Sequence, residues 1–339
     1  MTAQSVQARQ RRGPVLVAGA GGFIGGHLVA RLLAEGRRVR AVDIKPFDAW
    51  YQRHPAADNQ RADLALREEC RRAAQGVDDV YNLAADMGGI GFIEHNKAAC
   101  MLSVLINTHL LLAAREHDVG RYFYASSACV YPAYRQDDAR VEALREDMAY
   151  PAQPEDGYGW EKLFAERMCR HFAEDFGLTV RIARFHNVYG PHGSWDDGRE
   201  KAPAALCRKV ARALRDGADA IELWGDGTRT RSFMYVDDCV EGIRRIMDSD
   251  VDHPLNLGTG ELVTVTELAR LIEKTAGVRL EHRHDLSAPQ GVHGRNSDNT
   301  RIRALLDWEP LVPLSQGLEP TYAWIAQQVA NADAAAPGA

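Results

Sequence analysis

VLVAGAGGFIGGHLVARLLAEGRRVRAVD, residues 15–43, decides the fold. Four apolar residues run into a turn with glycines at 19, 22 and 25. An apolar-periodic stretch follows, and a second apolar run ends on Asp43. The order is strand, glycine turn, helix, strand. Glycines at this spacing give a tight turn, let a backbone approach a pyrophosphate closely, and aim helix N-terminal amides at an anion. Outward from this stretch the pattern repeats: LALREECRRAAQG, VDDVYNLAA, KAACMLSVLINTHLLLAAREHD and RYFYASS alternate helical and strand-like runs. Such alternation predicts a parallel sheet with helices on both faces.

The expected dinucleotide contacts are Gly19, Gly22, Phe23, Ile24 and Gly25 in the turn and Ala84 in NLAA. Asp43 stands where a carboxylate hydrogen-bonds an adenosine ribose and repels a 2′-phosphate, which favours NAD over NADP. Arg40 and Lys45 flank it and keep NADP open. Asp63 and Leu64 either edge the adenine or mark a helix start with Asp63 as its cap.

From about Phe185 the pattern loosens into Gly- and Asp-rich loops with a second αβ patch beyond. The expected organisation is an α/β, Rossmann-type doubly wound parallel sheet with a smaller, interleaved substrate-binding domain. Residues 1–12 form an arm, and 13–185, with 233–258 returning to it, form the NAD-binding domain. Residues 186–232 and 259–330 form the nucleotide-sugar-binding domain, and 331–339 a tail.

The 339 residues carry a formal charge of −6, which argues against nucleic acid as a partner. The six cysteines show no CxxC pair and no metal-ligand spacing, so no metal is expected. With no signal peptide or long apolar run seen, the expectation is a soluble, cytoplasmic protein without a membrane partner. Only six of 41 basic residues are lysines, among them Lys162 and Lys201. A lysine in an arginine-rich chain suits a site that needs a tunable cation.

Gly19, Gly22 and Gly25, then NLAA (82–85), SSACVYP (126–132), Y158GWEK162 and RFHNVYGP (184–191) run in order along the chain. Together they resemble the extended short-chain dehydrogenase/reductase family of nucleotide-sugar enzymes. AADMGGIGFIEHN (84–96), GREKAPAA (198–205), WGDGTRTRSF (224–233) and GVHGRNSDN (291–299) narrow the resemblance, over roughly Pro14 to Val329, to its GDP-mannose 3,5-epimerase branch.

The resemblance implies NAD as cofactor and Tyr158 as the base that takes a sugar hydroxyl proton. Lys162 and the oxidised nicotinamide are expected to lower its phenol pKa from about 10 toward neutrality. It implies that Ser127 hydrogen-bonds the same hydroxyl, while Ser126 is structural. The family's dehydratases carry an acidic pair after the Ser/Thr; here Ala128 and Cys129 stand there. Cys129 and Lys201 are the implied acid/base pair on opposite faces of the sugar, a thiol serving as base where cations lower its pKa from about 8.5.

Met87, Gly88, Gly89 and Gly91 are implied to contact the hexose and nicotinamide, and Asn187 the diphosphate or ring. Lys209, Arg229 and Arg295 are candidates for diphosphate, ribose or base, although the family more often has glutamine at position 229. His186 either tunes the site or is structural. A homodimer is implied through helices at Lys97–His117 and Tyr158–Phe176. The implied reaction converts GDP-mannose to GDP-L-galactose, or to GDP-L-gulose if only C5 inverts. A 4-epimerase or 4-reductase on another nucleotide sugar is the enzyme alternative, and an NAD-sensing regulator the non-enzyme one.

Overall fold

The computed structural model describes residues 13–335. The expected arm, 1–12, and the end of the expected tail, 336–339, lie outside the described residues. Strands β1 (Val15–Ala18), β2 (Val39–Asp43), β3 (Asp58–Arg61), β4 (Asp79–Asn82), β5 (Arg121–Ser127) and β6 (Thr179–Phe185) pair in parallel in the order 3-2-1-4-5-6. The order reverses between β1 and β4. At such a switch point the carboxyl ends of the strands open a crevice, the usual ligand site of a doubly wound sheet.

Helices cover both faces, so the central strands bury apolar side chains on both faces rather than alternating, with polar residues such as Asp79 and Asn82 at the ends of β4. Val15, Val17, Tyr81 and Phe123 face one way and pack with α1 (Phe23–Ala34). Leu16, Ala18, Val80 and Tyr122 face the other, where α2 (Arg67–Ala74) packs. After the short α3 (Ile90–His95), α4 (Lys97–Glu116) lies between α2 and α5 (Tyr158–Phe176). By length and composition α4 is apolar enough to cross a membrane, which corrects the expectation of no long apolar run. Its buried side, including Leu110, Leu111 and Ala114, closes the core on the sheet.

The smaller sheet begins with β7 (Asn187–Tyr189). α6 (Ala202–Asp216) follows, with Pro203 in its first turn, Leu206, Cys207 and Val210 buried, and Gly217 closing it at φ +66°. That arrangement follows helix logic: a proline fits the first turn, and a left-handed cap favours glycine. β8 (Ala220–Trp224) comes next, then β9 (Thr230–Tyr235), which pairs with β7. The 233 boundary therefore falls inside β9. Hydrogen bonds hold residues 233–235 to β7, and the chain returns to the large sheet only with α7 (Val236–Asp248), which packs on α1, and β10 (Leu255–Leu257), which extends β6.

β11 (Leu262–Thr264) runs antiparallel to β9, and α8 (Val265–Ala276) leaves it through a capping box between Thr264 and Glu267. β12 (Glu281–Asp285) pairs with β8 and β13 (Gly294–Arg295) with β9. After α9 (Thr300–Leu306), α10 (Leu314–Ala335) packs against α6 and α8 around Leu268, Ile272, Leu318 and Ile325. The tail is corrected accordingly: residues 331–335 continue α10.

Candidate active site

A cleft of about 760 Å³ opens at the switch point and runs to the smaller sheet. Gly19, Gly22, Phe23, Ile24, Gly25, Asp43, Asp63, Leu64, Ala84, Met87, Gly88, Ser127, Tyr158, Lys162 and Lys201 all line it. The glycine turn is shaped by close approach. Gly19 has φ +82°, and a Cβ there would stand 2.9 Å from the Ala84 nitrogen; a Cβ on Gly25 would drive into the Gly19 carbonyl. Gly22 caps α1 with no side chain over the helix end, which leaves the first amides facing the cleft.

Asp43 is buried and accepts from the Gly21 and Lys45 amides, each at 3.0 Å. Lys45 lies 4.6 Å over the Tyr51 ring, whereas Arg40 turns away to Asp58 and the Ala73 carbonyl. Asp63 accepts from the Ala65 amide at 2.9 Å, while α2 begins only after Leu66, so Asp63 shapes a turn at the cleft rather than capping that helix. A glycine cradle, bare helix amides and a carboxylate at the end of the second strand fit NAD.

Tyr158 begins α5, and the turn carrying it packs tightly because a Cβ on Gly159 would drive into the Cys129 carbonyl. Lys162, one turn on, places Nζ 5.5 Å from the Tyr158 ring centroid and 4.9 Å from that of Tyr124. Tyr158 is hydrogen-bonded with Ser127, whose hydroxyl also accepts from the Cys129 amide at 3.2 Å. Burial pushes the phenol well above its ordinary pKa, Cys129 and Glu161 add to the rise, and Ser127 opposes it. In a dry pocket the neutral phenol is favoured, and the expected fall toward neutrality needs the positive charge that Lys162 and an oxidised nicotinamide would bring. Ser126 donates to Glu166, itself paired with Arg184 at 2.8 Å, in a buried structural network.

Cys129 is buried beside Tyr158, Cys100 and Met87. Arg295 Nη1 lies 3.6 Å from its sulfur, and Lys201 and Arg231 both feel its charge. Lys201 is the N-cap of α6. Burial pushes its ammonium below the usual lysine range, and a helix N-terminus also disfavours a cation. Both effects favour a group that gives and takes a proton.

Gly89, Cys129, Asn187, Lys209, Arg229 and Arg295 are not among the cleft-lining residues. A Cβ on Gly89 would meet the Glu200 carbonyl at 2.5 Å, and the Gly89 amide donates to the Arg199 carbonyl at 2.9 Å. That glycine therefore docks the 199–201 segment. Asn187 donates to the Ser232 carbonyl at 3.2 Å, tying β7 to β9. Lys209 holds the Glu222 carbonyl and carboxylate at 2.8 and 3.1 Å. Arg229 holds Gln290 and the Gly291 carbonyl, and Arg295 holds Gln136, Glu155 and the Cys129 thiol.

Arg231 was not among the expected residues. It pairs in register with Arg295 across β9 and β13, and burial pushes its guanidinium down to about 10. The TRTR stretch, which sets a second arginine two residues after Arg229 as β9 begins, is the signal for it. Arg199 ties Asp86 (2.6 Å) to the cleft wall, and Tyr51 donates to Asp197 at 2.9 Å across the mouth. His186 lines the cleft, buried against Asn256 at 3.4 Å, and burial pushes it down to about 4, so it is neutral at pH 7.

Residues 15–258 match the model of the NAD dependent epimerase/dehydratase family. The chain is 45% identical over 316 residues to GDP-mannose 3,5-epimerase 1 of Oryza sativa subsp. japonica, covering 93% of this chain and 82% of the rice protein. To GDP-mannose 3,5-epimerase of Arabidopsis thaliana it is 44% identical with the same coverage. Among solved structures, UDP-glucuronic acid 4-epimerase from Bacillus cereus, in complex with UDP-glucuronic acid and NAD, superposes with a TM-score of 0.79 at 27% identity, covering 93% of this chain and 99% of that one. The chain belongs to the NAD dependent epimerase/dehydratase family, and NAD is its cofactor.

Proposed function

We propose that this protein epimerises GDP-D-mannose at C5 and C3 to GDP-L-galactose, with GDP-L-gulose as the product of C5 inversion alone. The observation that carries the reading is the seating of Cys129, the thiol in the expected acid/base pair, beside Tyr158 and close enough to act electrostatically on Lys201. The hydrogens at C3 and C5 are too weakly acidic to remove until C4 is a ketone. NAD, when bound, supplies that change by accepting a hydride from C4 and returning it at the end.

Tyr158, held by Ser127 and faced by Lys162, takes the O4 proton and later gives it back. Cys129 and Lys201 then serve the carbons: one removes a proton and the other returns one to the opposite face. Arg231 and Arg295 bring positive charge to the thiol side. Similarity to the rice and Arabidopsis enzymes supports GDP-mannose as the sugar nucleotide. A 4-epimerase or 4-reductase on another nucleotide sugar needs Tyr158 and Lys162 but has no use for Cys129 and Lys201.

The proposed protein is a cytoplasmic homodimer. Its six cysteines are all free and buried, which suits a reducing compartment. Met101, Leu102 and Leu105 on α4 and Trp160 and Phe164 on α5 are exposed on helices that pack together, an apolar surface suited to a second copy. Incubation with GDP-mannose in deuterated water, followed by NMR, tests the activity. Deuterium at C5, or at C3 and C5, is expected; no exchange in protein shown to bind NAD and GDP-mannose would overturn it.

A further inference from the structure

The cycle above uses Tyr158 twice in opposite senses. Oxidation moves the O4 proton to the Tyr158 phenolate as the C4 hydride departs; reduction returns the hydride to C4 and the phenol proton to O4. A phenol that is too acidic is too weak a base in its ionised form: it disfavours the first half and pulls the balance back to the alcohol. A group that tempers the Lys162 charge therefore decides how long the ketone persists.

Glu161 occupies that position, and no step above uses it. Its side chain is 1% exposed, and that of Lys162 is 4% exposed. Neighbours in a helix sequence do not ordinarily face each other, yet Glu161 Oε2 lies 3.6 Å from Lys162 Nζ. The other oxygen, Oε1, accepts from the Tyr124 hydroxyl of β5 at 3.3 Å, and the Tyr124 ring lies under the same ammonium. Oε2 has no hydrogen-bond partner among the described residues and faces the ammonium.

We propose that Glu161 is a positioning residue for the Tyr158–Lys162 pair: anchored by Tyr124, it fixes the ammonium and offsets part of its charge, so that Tyr158 stays basic enough to take the O4 proton and the ketone forms and persists. This rests on transient oxidation at C4, as proposed above. The groups facing Tyr158 are Ser127 and Tyr124 on β5, Cys129 in the turn after it, Cys100 on α4, and Glu161 and Lys162 on its own helix. Cys169, further along α5, also feels Glu161. Of these, Glu161 and Lys162 form the ion pair, and removing the carboxylate leaves the Lys162 charge unopposed, which lowers the phenol pKa.

The test is Glu161→Gln, which keeps the shape and the Tyr124 contact. Two readouts are expected to move: the reduced-nicotinamide absorbance of protein mixed with GDP-mannose falls severalfold, and the acid limb of kcat/KM shifts down by about one pH unit. Glu161→Asp, which keeps the charge, restores both toward the parent. Unchanged absorbance and an unchanged limb, in a variant that still epimerises, would overturn the proposal. If Glu161→Gln does not fold, Tyr124→Phe decides. It leaves the carboxylate charge on Lys162 alone, and the limb is expected to move up; a stationary limb would be contrary. Absence of deuterium exchange in the parent protein would instead defeat the proposed function.

Discussion

Tyr158, Lys162 and Lys201 line one cleft and Cys129 is buried beside Tyr158, yet the Tyr158–Lys162 pair and the Cys129–Lys201 pair are built in opposite ways. The first lies on a single helical turn, so its spacing is fixed by α5 itself. The second joins a turn after β5 to the N-terminus of α6, and its geometry depends on the smaller unit docking through Gly89 and Arg199. Burial also acts in opposite senses, raising the Tyr158 phenol and lowering the Lys201 ammonium. Both shifts favour the neutral form. A lysine that gives up its proton more readily than usual and a buried thiol suit shuttling protons at carbon, whereas the buried phenol works only when cationic charge is brought to it. Hydride chemistry and carbon-acid chemistry are thus separable.

Removing the phenol is expected to have the largest effect. Tyr158→Phe should lower turnover by at least about a thousandfold and abolish both bound-NADH formation and deuterium incorporation, since neither follows without oxidation. Absorbance and NMR on one sample check this. A variant that lost exchange but still formed NADH would break the division of labour.

Lys201→Arg ranks next, at about a hundredfold slower exchange, with bound NADH still forming. The pH dependence gives the sign. With its ammonium pushed below the ordinary value of about 10.4, Lys201 loses its proton on a rising pH scale earlier than an exposed lysine. Where it donates, exchange should fall on an alkaline limb below that value. A guanidinium stays charged, so the limb should disappear in the arginine variant; a pH profile that keeps it assigns the limb to another group.

The smallest effect expected is that of Gly159→Ala, about tenfold in turnover and about 1–3 kcal/mol in stability. The added carbon presses on the Cys129 carbonyl and pushes the two pairs apart. Thermal unfolding and exchange rates check it, and exchange should suffer more than NADH formation.

The parts of this arrangement differ in how far a sequence shows them. The glycine turn, Asp43 and the Tyr158–Lys162 spacing each lie within one continuous stretch, where local period and turn chemistry are enough. β3 (DNQR) has no apolar residue, because an edge strand need bury neither face, and so leaves no hydrophobic pattern. Gly159 reads as an ordinary helix residue until the Cys129 carbonyl is set against it. Arg231 becomes a neighbour of the thiol only when β9 and β13 pair in register. Asn187, Lys209 and Arg229 show the reverse: their types suited a phosphate or a sugar, but carbonyls, Glu222 and Gln290 hold them. Long-range pairing decides such partners, and residue type alone does not carry it.

Cys129→Ala gives the most direct test of the central claim that oxidation at C4 and proton exchange at carbon belong to different residues. The variant is mixed with GDP-mannose in deuterated water, and bound NADH and sugar deuterium are followed together. The account predicts that NADH forms as in the parent while deuterium at C3 and C5 is lost by about a hundredfold or more. Deuterium entering at the parent rate would contradict it.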